Sequence, residues 1–339
     1  MRLSALGDVC HALPVIRTLQ AHYPLAKITW IIGKIEHQLL GDIPDIEFVI
    51  FDKSLGFGAF KKLRADLRGK QFDLLLHMQT SARANVAAAL IPAKIKLGYD
   101  KARSREGHGL VINQRIAAGK PQHQIDDMFG FAQALGINER RLQWNIPVPA
   151  AAQDFARQHL PQDRKVLAIN ACSSPSKRVH RNWYPERYAE VADYAASELD
   201  MQVVLVGGPT AHERQAAETI LQSCRTAPIN LVGKTSLKQL CAVLQQSDLL
   251  LTSDSGPAHI ANALGTRVVC LHAATNPYQT GPYLDQDRAV NFYPQAIQAE
   301  YGKPLNDLPW GIRAHGADVM QLITTDSVKT AILQAVSKP

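Results

Sequence analysis

The sequence predicts an α/β protein of two doubly wound domains facing each other across a cleft, and three observations carry that prediction. Short apolar runs of strand length alternate with amphipathic helical stretches along almost the whole chain. At 339 residues the chain is too long for one ordinary core. The Pro-rich stretch Trp144-Asn-Ile-Pro-Val-Pro149 breaks the alternation near the middle. Two domains are therefore expected, residues 1–150 and 163–339, with a linker near residues 145–162 and a C-terminal helix placed to pack back on the first domain.

The first half opens on a polar turn, Ser4-Ala-Leu-Gly-Asp8, where a first strand would ordinarily stand, and little of that strand is present. Val9, Leu13, Ile16 and Leu19 then recur at helical spacing, which predicts a helix over 9–22 starting at the Gly7-Asp8 turn. Asp8 is either a cap of that helix or a catalytic carboxylate. Strands follow at Lys27–Ile32, Glu47–Phe51, Phe72–His77 and Lys94–Gly98. Between them, Phe60, Leu63 and Leu67 form an apolar stripe, with Lys61, Lys62, Arg64 and Arg68 elsewhere on a basic amphipathic helix. That pattern reads as a solvated charged face or as an anion site. The second basic cluster, Lys101-Ala-Arg-Ser-Arg-Glu106, lies in a loop after a strand, where function concentrates.

In the second half, strands are expected at Lys165–Asn170, Met201–Val206, Ile229–Val232, Asp248–Thr252 and Arg267–Leu271. Helices are expected over 185–199, 211–224 and 237–246. The most informative unit is the strand at Leu249–Leu251, the turn Ser253-Asp-Ser-Gly256 and the helix that follows. Pro257 suits the first turn of that helix, and Gly265 a left-handed position after its end. Ligands of open α/β sheets bind where strands end in such turns, so Ser253, Asp254, Ser255, Gly256 and His259 are candidate site residues. Asp254 or Ser255 as a plain N-cap is the competing reading.

Composition narrows the function class. With 46% hydrophobic and 20% charged residues the chain is a globular protein, and no apolar run approaches the roughly 18 residues of a membrane span. Five scattered cysteines without a C-x-x-C pair imply a reducing, cytoplasmic setting, and no secretory signal is expected. Residues 1–150 hold 20 Lys and Arg against 13 Asp and Glu, whereas residues 151–339 hold 17 of each. The first half should therefore meet something anionic. Few aromatics interleave with its cations, which argues against single-stranded nucleic acid.

Several common motifs fail. Gly233-Lys-Thr-Ser236 resembles the tail of a P-loop, but Pro228 stands where its first glycine belongs. Gly56-Phe-Gly58 lacks a third glycine, twelve histidines include no zinc spacing, and Ser255 lies in no nucleophile elbow. What remains is a phosphate-type site after the strand ending at Asn170: the hydroxyls Ser173 and Ser174, then Lys177, Arg178 and Arg181. Hydroxyls and cations there suit a diphosphate without metal, although a plain polar loop reads the same way. At the next strand end, Val206-Gly-Gly208, Glu213 is either a ribose contact or a first-turn helix acid.

Taken together, Arg2–Pro14, Arg181-Asn-Trp-Tyr-Pro-Glu186, Val206-Gly-Gly208 and Ser253-Asp-Ser-Gly-Pro-Ala-His259 resemble the ADP-heptose:lipopolysaccharide heptosyltransferases of glycosyltransferase family 9, more type I than II. The resemblance implies a GT-B fold of two Rossmann-like domains, acceptor-binding first and donor-binding second. It implies metal-independent, inverting transfer of heptose from ADP-L-glycero-D-manno-heptose to the Kdo region of the lipopolysaccharide inner core, with no cofactor and no nucleic acid. A cytoplasmic enzyme peripheral to the anionic inner membrane and acting on a Kdo-containing lipid A acceptor follows from it. Asp8 matches the family's general base. Ser173 and Ser174 match a hydroxyl pair at the phosphates, and Lys177, Arg178 and Arg181 compete for a phosphate-binding cation, because this loop is longer than the family's. Asp254, Ser255, Gly256 and His259 match the donor turn, Glu213 the ribose contact, and Arg105 an acceptor-side arginine, while Lys61, Lys62 and Arg64 fall where the anionic acceptor is met. A transferase of another nucleotide sugar and a non-catalytic nucleotide-sugar-binding relative are the alternatives.

Overall fold

The computed structural model describes residues 1–173 and 180–337. The chain divides into two compact units, Met1–Pro147 and Val148–Pro339. In the first, α1 (Leu6–His22), β1 (Ile28–Gly33), α2 (Lys34–Leu40), β2 (Ile46–Phe51), α3 (Gly58–Asp66), β3 (Phe72–Leu76), α4 (Ala82–Ala89), β4 (Ala93–Gly98), β5 (Gln114–Arg115) and α5 (Gln124–Gln133) follow in order. β1 pairs in parallel with β2, and β3, β4 and β5 form a second parallel set.

Residues 1–3 join these two sets. Arg2 N–H donates to Ile31 O (3.3 Å) and Gly33 N–H to Leu3 O (2.9 Å) on one side, while Met78 N–H donates to Met1 O (3.1 Å) on the other. Met1 and Leu3 are buried in the apolar core with Ile31, Val49 and Leu75. The strand that looked largely missing is therefore represented by a three-residue stub, which is enough to anchor the turn that follows it. Gly33 is required at its position because a Cβ there would lie 2.3 Å from Leu3 O. Helix α1 begins at Leu6, three residues earlier than the expected start at residue 9, so Asp8 lies within its first turn and not ahead of it.

The second unit contains α6 (Ala150–His159), β6 (Val166–Asn170), α7 (Pro185–Glu198), β7 (Gln202–Leu205), α8 (Ala211–Ser223), β8 (Ile229–Asn230), α9 (Leu237–Gln246), β9 (Leu249–Ser253), α10 (Gly256–Leu264), β10 (Arg267–His272), α11 (Pro277–Thr280), β11 (Val290–Asn291), α12 (Tyr293–Tyr301) and α13 (Thr325–Ser337). Its parallel sheet runs β11-β10-β9-β6-β7-β8. Every residue of β6 and β9 is buried, as continuous apolar runs in a two-sided parallel sheet require. The stretch expected as linker contains α6, which packs on α9 of this unit. The C-terminal helix α13 packs on α7 and β10 of its own unit, with Val328, Ile332 and Ala335 in the core. Among the described residues no helix is long and apolar enough to cross a membrane.

Candidate functional site

Each unit has one place where the chain turns from filling one side of its sheet to filling the other, and both candidate turns lie there. In the second unit β6 stands between β7 and β9, and Asn170 at its end pairs in register with Thr252. In the first unit the stub at residues 1–3 stands between β1 and β3. Carboxyl ends of neighbouring strands whose chains depart in opposite directions leave a crevice above the sheet, the usual ligand position in this architecture.

In the first unit, Asp8 is the third residue of α1. Its Oδ2 accepts from Ala5 N–H at 2.9 Å, and Oδ1 lies 2.7 Å from Arg2 Nη2. Arg2 is fixed in turn: Nε donates to Ser4 O (2.9 Å) and Nη1 to Met78 O. The capping role and an oriented, partly exposed carboxylate thus coexist in one side chain. Sequence reading passed over Arg2, which becomes legible only when the stub places it beside the turn.

Next to this turn a cavity of about 230 Å³ opens at the ends of β1 and β2, lined by Ser4, Glu36, Lys53, Ser54, Gln79 and Arg83 among others. Lys53 and Arg83 are exposed cations with no ion-pair partner among the described residues. Burial raises the Glu36 carboxyl above the ordinary range, and Asp8 acts in the same direction, against its own backbone N–H and Lys53. Sequence reading singled out none of these three, because their elements meet only in the folded unit.

The expected acceptor-side residues separate by their bonds. Lys61, Lys62 and Arg64 are exposed on α3, whose Leu63 and the following Leu67 are buried, but Lys62 pairs with Asp66 at 2.7 Å. Arg103 bridges Asp100 and Asp127 and is structural. Arg105 stays exposed while its carbonyl accepts from Asn85 Nδ2 (3.3 Å). Asn85 belongs to a buried network: His77 Nε2 lies 2.9 Å and His108 Nδ1 3.1 Å from its Oδ1, and its Nδ2 also donates to Glu106 O (2.7 Å). Burial, with His108 adding to it, lowers His77 to about 3, so both hydrogen bonds come from neutral rings at neutral pH.

In the second unit the helix after β9 starts at Gly256 with Pro257 next, and it ends at Gly265 with φ +83. Ser255 stands at the N-cap without capping. Its hydroxyl turns inward to Thr252 Oγ1 (2.9 Å) and Asn170 Oδ1 (3.3 Å), so no side chain caps α10. Asp254 is 6% exposed, with Thr280 Oγ1 donating to Oδ2 (3.2 Å), His259 Nε2 3.8 Å from Oδ1 and Arg181 Nη1 3.7 Å from Oδ2. Burial alone would raise its pKa, but His259, His272 and Arg181 outweigh it and hold the carboxyl far below the usual range. Arg181 Nε is buried without a hydrogen-bond partner among the described residues.

Ser173 gives its hydroxyl to Asn182 Oδ1 (2.8 Å), and Asn182 Nδ2 meets His212 Nε2 (2.8 Å), a relay absent from the sequence reading. Ser174, Lys177 and Arg178 lie outside the described residues. Of the three competing cations, Arg181 is the one whose position is described, and it is beside Asp254. Glu213 closes the capping box of α8: Oε1 accepts from Gly208 N–H (2.7 Å) and Oε2 from the Thr210 hydroxyl (2.6 Å). Burial, reinforced by Glu213, pushes the nearby Cys172 up to about 11, so it is a thiol and not a thiolate at neutral pH.

Comparison with known proteins places the whole chain in a family. The chain is 40% identical over 328 residues, 97% of its length and 93% of the relative's, to the lipopolysaccharide core heptosyltransferase OpsX of Haemophilus influenzae. Its fold is that of a family 9 glycosyltransferase from Veillonella parvula (TM-score 0.80, 22% identity, 99% of this chain and 96% of that one). It is also that of the E. coli heptosyltransferase WaaC solved with ADP-2-deoxy-2-fluoro heptose (0.69, 20%, 98% and 99%). Residues 60–307 match glycosyltransferase family 9 (heptosyltransferase), so two Rossmann-like units with a polar turn at each switch point are here the α/β, GT-B-type fold of a member of that family.

Proposed function

We propose that this enzyme transfers heptose from ADP-L-glycero-D-manno-heptose to the Kdo region of the lipopolysaccharide inner core, with inversion and without a metal. The observation that carries the reading is Asp8, an oriented carboxylate held by Ala5 N–H and Arg2 at the switch point of the first unit. Asp8 takes the proton of the acceptor hydroxyl as its oxygen bonds to the anomeric carbon. The bond from that carbon to the diphosphate breaks on the opposite face, and ADP leaves with the electron pair. A carboxylate base on one side and cations on the departing diphosphate are what such a displacement requires.

Arg181, Ser173 and the uncapped N–H groups at Ser255 and Gly256 are assigned to the diphosphate, since a helix start without a side-chain cap favours an anion. Asp254, ionised and oriented by His259 and Thr280, is assigned to sugar hydroxyls, because a carboxylate beside a diphosphate would repel it. Glu213 keeps its cap while offering its remaining lone pairs to ribose. Lys61, Arg64 and Arg105, joined by Lys53 and Arg83 of the cavity, meet the anionic acceptor. The enzyme works on the cytoplasmic side, at the surface that holds its lipid-borne acceptor.

The test is incubation with ADP-heptose and Kdo-lipid A, read by mass spectrometry. One heptose added per acceptor and one ADP released, undiminished by EDTA, is the expected result. No heptose increment and no ADP release would overturn the reading.

A further inference from the structure

The cavity at the ends of β1 and β2 holds a buried carboxyl that the fold leaves unused. Glu36 is 7% exposed, yet among the described residues it forms no ion pair, and the hydrogen bond to its carboxyl comes from its own N–H. It stands at the third position of α2, where a carboxyl ordinarily reaches back to the N–H of the capping residue. Here that N–H, from Gly33, is given to Leu3 O at 2.9 Å. The carboxyl instead folds over Gly33, where a Cβ would collide with its Oε2. A buried carboxyl without a partner is unfavourable, and a bound ligand is what can complete it.

The walls show what that ligand carries. Lys53 and Arg83 line the same cavity, exposed and without ion-pair partners among the described residues, whereas Lys34 is paired with Asp52 at 3.0 Å. Two unpaired cations against one carboxyl draw in an anion. Glu36 calls for a hydroxyl, which donates to a carboxylate and accepts from a protonated acid and so suits either state. The floor is prebuilt: Gln79 Oε1 accepts from Leu3 N–H (2.8 Å), and Gln79 Nε2 donates to Ser4 Oγ (3.3 Å) and Ser81 Oγ (3.2 Å). At about 230 Å³ the space is below the roughly 300–1,000 Å³ of a drug-sized ligand pocket, which leaves room for about one sugar ring.

We propose that Glu36 is a specificity-determining residue of the acceptor subsite, binding a ring hydroxyl of a sugar acid whose carboxylate is held by Lys53 and Arg83. Asp8 acts electrostatically on the Glu36 carboxyl, which puts this subsite within reach of the Asp8 turn. An acceptor that lacks either the acid or the hydroxyl leaves one side of the cavity unanswered, so Glu36 selects a hydroxylated acid over a plain anion. The inference deepens the proposed function and rests on it only for naming the sugar acid as Kdo.

The test is calorimetric titration of the full chain with a delipidated Kdo oligosaccharide, beside steady-state transfer from ADP-heptose. Glu36→Leu should weaken oligosaccharide binding and raise the acceptor KM about ten- to a hundredfold, with the ADP-heptose KM unchanged. Glu36→Gln, which keeps both an acceptor and a donor, should restore binding to within about threefold of wild type. A merely structural role would move both KM values and the melting temperature together. Equal oligosaccharide affinity in wild type and Glu36→Leu, no binding by wild type, or a parallel rise of both KM values overturns the inference. Glu36-dependent binding without any heptose transfer would refute the proposed function and leave this subsite standing, whereas transfer that does not depend on Glu36 does the reverse.

Discussion

Asp8 shows how one residue can satisfy two readings that looked exclusive. It accepts the Ala5 N–H as a helix acid and still presents an oriented carboxylate beside the cavity. Asp8→Asn keeps an oxygen for Ala5 but removes the base, so transfer should fall about 10²- to 10⁴-fold while ADP affinity and helix content stay unchanged. Single-turnover kinetics with calorimetric ADP titration checks this, and near-native transfer would exclude Asp8 as the base. Glu36 makes a separate prediction from its raised pKa. Below its ordinary value of 4.5 it is protonated both folded and unfolded, whereas above that value the unfolded chain releases a proton that the folded chain retains. Wild type therefore loses stability as pH rises through the folded value, and Glu36→Gln does not. The melting-temperature advantage of the variant should grow from pH 4 to pH 7; a constant difference would contradict burial as the cause.

Elements hold the site through contacts that motifs do not display. Helix α8 starts on a reciprocal box of Thr210 and Glu213, a signature readable from their spacing, and the sequence reading kept a first-turn acid as one of its two options. Glu213→Ala should cost about 1 kcal/mol in chemical denaturation, and Glu213→Gln, which preserves an acceptor oxygen, only a few tenths. If Glu213 also holds ribose, the Gln variant will weaken ADP binding without that loss of stability. The Asn85 network ties the start of α4 to the Arg105 loop by bonds to Thr80, Arg105 and Glu106 carbonyls. Asn85→Ala strands two buried histidine donors and three carbonyls, so a loss of about 2–4 kcal/mol is expected, with raised hydrogen exchange over residues 104–108. Protection unchanged in that segment would show that the network does not hold the arginine.

At the scale of the whole chain, the two units predict a divided response to ligand. A nucleotide that binds the folded second unit stabilises it by RT ln(1 + [L]/Kd), roughly 2.7 kcal/mol at a hundredfold excess over Kd. ADP should therefore raise hydrogen-exchange protection around residues 180–183 and 253–259 and the melting temperature with it, and UDP should do much less. A larger shift with UDP would favour a transferase of another nucleotide sugar. The sequence by itself determined the α/β class, the strands β1–β4 and β6–β10, the helices α1, α3 and α7–α10, the Pro257 start and Gly265 end of α10, and the turns at Asp8 and Asp254. Those features depend on residue spacing and turn chemistry within a few neighbours, which a linear reading contains. Only the tertiary structure decided that residues 1–3 complete the first sheet, that α6 and α13 pack with the second unit, that Arg2 pairs with Asp8, and that Glu36, Lys53 and Arg83 line one cavity with Ser4. It alone placed Arg181 beside Asp254 and turned the Ser255 hydroxyl away from the helix, against the reading of Ser255 as a plain cap. Strand order brings together residues far apart along the chain, and burial then selects which of their polar groups bond one another and which remain for a ligand.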